Sequence, residues 1–301
     1  MMDLYLIRYF LAVVETGSFT RAADRVFVTQ PTLSAGIKKL EGQVGQALFE
    51  RTNRRVFLTD AGTRFLPRAK AILHECNLAV QSLEEANTTP LLRLGVLTTL
   101  PNRAVGELLA GFRNDNPKVT IEIIDGTEQE LANRLDDRSL DYVLSLYRGE
   151  VEDRALTLKS ENYRFILPKD HALAGRASLS AADLGEEYMI VRSRCEVLSE
   201  TSRYFTDRNI RPRLVYRTPN DSRAVAMVAA GLGGTVVPTS LVDDRVSASK
   251  LAGFDYKRQL ALFRPAYDMP AVAAEAGAKF EAHVAKAWGS EESIRRKNKV
   301  A

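Results

Sequence analysis

Three short helical patterns, closed by turn residues at regular places, fill the first 45 residues of this 301-residue chain and constrain its fold more than any other feature. Residues 3–16 put Leu4, Ile7, Phe10, Leu11 and Val14 on one helical face. Gly17 stops that helix, and Ser18 offers a hydroxyl to cap the next, FTRAADRVF (19–27). Ala22 and Ala23 are small enough to let another helix cross closely. Thr29 is a second cap, and Pro31 falls in the first turn of a third helix, where its missing N–H costs nothing. That helix, PTLSAGIKKLEGQVG, buries Leu33, Ile37, Leu40 and Val44, and Gly45 ends it. Two short helices joined by a tight turn predict a helix-turn-helix. The solvent face of the second carries Gln30, Thr32, Ser34, Lys38 and Lys39, side chains suited to base edges and phosphates in a major groove. LFERTNRRVFLTDAG follows, with Phe49 and Phe57 as anchors. RTNRR between them reads as a hairpin tip, a basic wing of Arg51, Arg54 and Arg55 suited to phosphates or the minor groove.

The charge distribution agrees with a polyanion partner at one end. The net charge is +4, yet residues 1–70 hold eleven bases against six acids. Four more bases lie in the tail (Arg295, Arg296, Lys297, Lys299), so residues 71–292 are net acidic. The tail reads as a disordered solubilising end. No run approaches a membrane span, and the N-terminus is too amphipathic for a signal peptide, so the chain reads as cytoplasmic with no membrane partner. Two cysteines, Cys76 and Cys195, are too few for a disulfide framework or a zinc site. His74, His171 and His283 show no ligand spacing, so neither metal nor cofactor is expected.

From Asp60 to about Ala86 the only strong helix breaker is Pro67. Leu66, Ala69, Leu73, Cys76, Val80 and Leu83 recur alternately three and four residues apart, the seam of a coiled coil or of a helix packed on its own body. NTTP (87–90) breaks the helix and is the best domain boundary. Strand and helix patterns then alternate: LLRLGVL, a helix from 102 to Pro117, VTIEIID, EQELANRLDD and DYVLSL form βαβαβ, an open α/β sheet. The pattern restarts at YRFILP (163–168), with a helix near 197–208, RLVYR, a helix from Asp221, GTVVP and a last helix over 271–287. Two such halves predict a cleft with ligands at the carboxyl ends of strands.

The segments FLAVVETGSFTRAADRV, VTQPTLSAGIKKLEGQVGQALFER and LTDAG resemble the LysR-type transcriptional regulators in order, spacing and residue type. Val26, where the family usually has leucine, and Gly36 inside the recognition helix are departures; Gly36 suggests close approach to a backbone. RLGVLTTLP, LPKDHALA, ADLGEEYMIV and AMVAAGLGGTVVP resemble the family's effector domain, which has a periplasmic-binding-protein type 2 fold. The resemblance implies an α/β protein of three parts. These are a winged helix-turn-helix domain (1–59), a linker and dimerisation helix (60–89), and a two-lobed effector-binding domain (90–301). The first lobe spans 90–162 and 267–290, the second 163–266. It also implies that Gln30, Pro31, Thr32 and Ser34 face double-stranded DNA, with Arg54 in the wing. The resemblance further implies a homodimer that reads an inverted repeat, assembles into a homotetramer and contacts RNA polymerase.

Placement nominates the effector residues. Thr98 and Thr99 end the first strand before a helix, where hydroxyls and free amides hold an anion. Thr127 ends the next strand and also suits a helix cap. Arg192, Ser193 and Cys195 lie at the mouth of the second half, and Arg192 equally suits a surface ion pair. Asp221 reads as a helix N-cap. Cys195 reads as a packing or effector-lining residue, with redox sensing as the alternative, because basic neighbours lower a thiol's pKa when it is exposed. No hydrolase, nucleotide-binding or zinc-protease motif occurs, and GLGG (231–234) reads as a turn, so an enzyme is not expected. A transport solute-binding protein would share the body fold but not the N-terminal helix-turn-helix.

Overall fold

The computed structural model describes residues 2–51, 56–84, 89–149, 152–265, 267 and 269–289. Its contacts divide the chain into two compact units: residues 1–88, with which 133–140 group, and 89–132 with 141–301. Each has its own core.

The first unit starts with α1 (Leu4–Thr16), α2 (Phe19–Arg25) and α3 (Gln30–Val44). Their ends follow from local chemistry. Gly17 and Gly45 take left-handed φ values of 62° and 74° to close α1 and α3, and the Ser18 and Thr29 side chains accept from the amides of Arg21 and Thr32. The helix expected to run to Phe27 stops at Arg25, and Phe27 itself is left-handed (φ 57°) and 94% exposed. The buried face of α1 is Leu6, Ile7, Phe10 and Val13; Leu4 is exposed, and Leu11 and Val14 are half-buried. The face is wider than the heptad pattern suggests because α2, α3 and the following long helix all pack on α1. Leu33, Ile37 and Leu40 of α3 are fully buried, whereas Val44 is half-buried near the helix end.

β1 (Phe49–Arg51) and β2 (Val56–Leu58) form an antiparallel ribbon. Phe49 is buried against Phe10 and Phe19, with ring centroids 5.2 and 5.8 Å apart. Phe57 is not an anchor. It pairs with Glu50, on the face opposite Val56 and Leu58, and is half exposed, because alternation sends only every second residue of a strand to the core. The long helix α4 (Asp60–Glu84) runs through Pro67 without a break. Its seam serves the unit's own core at the start: Ala69 is fully buried there, and Phe65, Leu66 and Leu73 pack against it.

In the second unit β3 (Leu91–Leu97), α5 (Asn102–Asp115), β4 (Thr120–Gly126), α6 (Glu128–Asp136) and β5 (Tyr142–Leu146) realise the βαβαβ pattern, with β3 between β4 and β5 and parallel to both. A difference then appears. The strand expected to begin at Tyr163 is one 14-residue strand, β6 (Ala155–Pro168). Further along come β7 (Ser178–Leu179), β8 (Tyr188–Arg192), α7 (Leu198–Thr206), β9 (Arg213–Thr218), α8 (Asp221–Ala229), β10 (Thr235–Pro238), β11 (Val246–Leu251), β12 (Lys257–Phe263) and α9 (Ala271–Trp288). The first half of β6 pairs with β12, and the second half with β10 and β11. β12 also pairs with β5, so residues 257–263 belong to the first lobe's sheet rather than the second lobe. The 14-residue β6 runs from the first lobe into the second.

Each lobe has a distinct interior. Phe112 and Phe280 meet edge-to-face at 5.2 Å between α5 and α9. In the second lobe Phe165, Tyr204, Phe205 and Phe254 form one cluster, and Ile166, Ile190, Val225, Val228 and Val237 another.

Candidate DNA-binding and effector sites

Gln30, Pro31, Thr32 and Lys38 are exposed along α3, and Ser34 is half-buried. The Thr32 hydroxyl lies 2.7 Å from that of Thr29, which fixes the helix entrance. Lys39, expected on the same polar face, instead donates to Asp3 (2.9 Å) and to the Tyr5 hydroxyl (3.1 Å), and these bonds raise its pKa. Gly36 does admit a close neighbour, but the neighbour is a side chain: a Cβ there would lie 2.6 Å from the Tyr9 ring. Glu41, not singled out from the sequence, accepts from the amides of Leu48 (2.8 Å) and Phe49 (3.2 Å) and so ties the base of the wing to α3. Arg51 ends β1, and only its backbone is described; Arg54 and Arg55 lie outside the described residues.

In the effector unit the nominated residues do not form one pocket. The backbone N–H of Thr98 donates to Gly126 (3.0 Å), and Thr98 borders a cleft of about 540 Å³. That cleft runs between the end of β3 and α5 on one side and Arg194 and Pro219–Ser222 on the other. Thr127 forms a capping box at the start of α6: its N–H and hydroxyl both donate to Glu130, and the Glu130 amide donates back to its hydroxyl. Ser193 is half-buried and its amide donates to Thr218 (2.9 Å).

Arg192 is neither at the surface nor in the cleft. It is 2% exposed, its Nε donates to Asp221 at 2.7 Å, a second bond completes a fork with that carboxylate, and Nη1 reaches the Val236 carbonyl at 3.1 Å. Asp221 is accordingly not the N-cap of α8. That role falls to Asn220, whose side chain accepts from the Arg223 amide at 2.8 Å. Arg192 Nη1 also lies 3.3 Å from Cys195 Sγ. Burial pushes the Cys195 thiol up despite the opposing charge of Arg192, the reverse of what its basic neighbours suggest for an exposed thiol. A Cys76→Ser variant should therefore react slowly with a thiol reagent at pH 7 and faster as the pH is raised. Labelling of Cys195 at pH 7 as fast as a free cysteine would contradict this.

The sequence reading missed a buried, highly connected polar group of the unit. Arg258 on β12 is 3% exposed. It donates to Glu161 (2.8 Å), Glu196 (2.6 Å), the Thr99 carbonyl (3.2 Å) and the Ser240 hydroxyl (3.4 Å). Thr99, 2% exposed, gives its hydroxyl to the same Glu196 oxygen, and the Tyr163 hydroxyl donates to the other at 3.3 Å. Burial opposes ionisation of Glu196, but Arg258, the Thr99 hydroxyl and Arg192 together hold its carboxyl below the ordinary value. Burial and the Glu196 charge push the Tyr163 phenol up, so it stays a donor. No local pattern marks Arg258 or Glu196. Their partners are 18 to 159 residues away in the chain.

Among the described residues no helix is long and apolar enough to cross a membrane, and no group of three or more potential metal ligands occurs. A bacterial regulatory helix-turn-helix model of the lysR family matches residues 4–63, and a LysR substrate binding domain model matches residues 86–280. The chain is 30% identical over 251 residues to a probable hydrogen peroxide-inducible genes activator of Mycobacterium avium, covering 81% of this chain and 80% of that protein. Its fold matches that of CbnR complexed with its target DNA, with a TM-score of 0.64 at 21% identity, covering 95% of this chain and all of that one. It also matches full-length OxyR from Pseudomonas aeruginosa, with a TM-score of 0.63 at 22% identity over 94% of this chain and 98% of that one. With helix-turn-helix and substrate-binding domains matched in order over most of its length, the chain belongs to the LysR family of DNA-binding transcriptional regulators.

Proposed function

We propose that this regulator docks α3 in the major groove of promoter DNA, with Gln30, Pro31, Thr32, Ser34 and Lys38 at the bases and phosphates and Arg51 and Arg54 of the wing along the backbone. The observation that carries this reading is the exposed polar side of α3 beside a fully buried Leu33, Ile37 and Leu40 side. Such a helix has one face for the core and one for a partner, and its N-terminal turn is the part that meets base edges. Two copies joined through α4 present two such helices, which suits an inverted repeat, and a dimer of dimers extends the contact. The chain acts in the cytoplasm, as a binder and not an enzyme, with RNA polymerase as a further partner.

The effector reading rests on the cleft of about 540 Å³, within the usual range for small-molecule sites. Thr98, Asn102, Asp125, Arg194 and Asn220 give it polar groups from both lobes. Thr99, Thr127, Arg192, Ser193 and Cys195 do not line it. A small molecule held there shifts the protein only by its differential affinity for the two lobe arrangements. Redox sensing at Cys195 is the weaker reading, because burial holds the thiol protonated.

The test is a gel shift with a duplex enriched by the full chain from a random-sequence pool. Ser34→Ala should weaken binding about tenfold or more while the melting temperature stays unchanged. Lys38→Ala should weaken binding to all sequences and lower the salt slope by about 1. Wild-type affinity in both variants would remove α3 as the contact surface.

A further inference from the structure

The anion position expected at the end of β3 is already filled by the chain itself. Carboxyl ends of strands in an open α/β sheet are where ligands sit, and Thr99 stands there with its hydroxyl and its carbonyl turned to partners. The carbonyl accepts from Arg258, and the partner of the hydroxyl is Glu196, from the loop between β8 and α7 of the opposite lobe. Its side chain is 3% exposed. Three donors converge on it: the Thr99 hydroxyl, Arg258 Nη1 at 2.6 Å and the Tyr163 hydroxyl at 3.3 Å. Together they form a built carboxylate receptor contributed by the end of β3, by β6 and by β12. Arg258 has a second carboxylate, Glu161, at 2.8 Å on its Nε, and Glu161 is itself held by the Ser240 amide at 2.9 Å. One guanidinium thus serves two buried carboxylates, so a third anion would meet occupied donors and like charge.

We infer that Glu196 is a tethered carboxylate occupying the anion position at the end of β3, next to the cleft-lining Thr98, and that it sets effector selectivity by making the wild-type protein refuse carboxylate ligands at Thr99. This rests on the reading of the inter-lobe region as the effector site. The same contact joins the loop before α7 to the end of β3, so Glu196 also holds the two lobes together where a bound anion would otherwise bridge them.

The experiment is chemical rescue on the full chain. Glu196→Ala leaves Thr99, Tyr163 and Arg258 in place and empties the position of the carboxylate. Its melting temperature should rise by about 3 °C or more in 50 mM sodium acetate relative to 50 mM sodium chloride. The wild type should show no difference between the two salts, and neither should Glu196→Gln, whose amide still fills the space. Adding Thr99→Val to Glu196→Ala should reduce the acetate response severalfold. A folded Glu196→Ala protein indifferent to acetate would overturn the inference. If Glu196→Ala does not fold, the wild type decides alone: an acetate-induced rise that Thr99→Val abolishes overturns the proposal, and indifference to acetate supports it. Failure of every neutral and cationic compound to stabilise the wild type would count against the effector-site reading itself, a result separate from the acetate response of Glu196→Ala.

Discussion

Replacing Asp221 with alanine should destabilise the effector unit by about 3–5 kcal/mol, because it leaves the Arg192 guanidinium charged and buried without its carboxylate. Arg192 and Asp221 side chains are 1% and 6% exposed, and the remaining acceptors of Arg192, the Val236 carbonyl at 3.1 Å and Cys195 Sγ at 3.3 Å, carry no compensating formal charge when the thiol is protonated. The pair joins the end of β8 to the first turn of α8. Its loss should therefore loosen the wall formed by Pro219–Ser222 beside the cleft as well as lower stability. Urea unfolding of the full chain measures the first effect. The double variant Arg192→Met with Asp221→Leu should recover most of the loss, since replacing both charges removes the desolvation penalty together with the attraction. A single Asp221→Ala cost under about 1 kcal/mol would mean that water reaches Arg192.

The second large effect is expected in the DNA-binding unit. Phe10 is fully buried, with Phe49 at 5.2 Å and Phe65 at 5.1 Å, and so ties α1 to the wing and to α4. Phe10→Ala should cost about 3–5 kcal/mol through the cavity it leaves. A small unit has little stability to spare, so this change should abolish DNA binding by unfolding the unit near its working temperature. Circular dichroism melting separates this from a contact effect: Phe10→Ala moves an unfolding transition, whereas Ser34→Ala leaves it in place. A Phe10→Ala protein that melts like the wild type and still binds DNA would contradict the packing described for this core.

Legibility in the sequence followed the range of the interactions. Gly17, Ser18, Thr29, Pro31 and Gly45 act on amides and carbonyls within four residues, and each stands where its local chemistry placed it. Leu33, Ile37 and Leu40 needed only the helical period to be recognised as core. The errors came where a second element decides which face is covered. Leu4 and Phe57 fit apolar patterns but are exposed. Phe27 shows the limit of propensity: a residue inside an apparent helix turns left-handed, because the chain must reverse between α2 and α3.

The effector unit divides in the same way. Alternating patterns identified its strands and helices nearly residue by residue in the first lobe, since strand and helix periods are local properties. They did not show that β6 runs on between the lobes, because a strand's partners are set by pairing across the sheet. The helix-turn-helix at the start of the chain was determined by the sequence itself, through caps, breakers and a 3.6-residue period that need no distant partner. Only the tertiary structure could decide that Thr99, Arg192 and Asp221 serve internal carboxylate contacts, and that Arg258 and Glu196 matter at all. A buried charge is stabilised by whatever opposite charge the fold brings within hydrogen-bond reach, and that partner can come from anywhere in the chain.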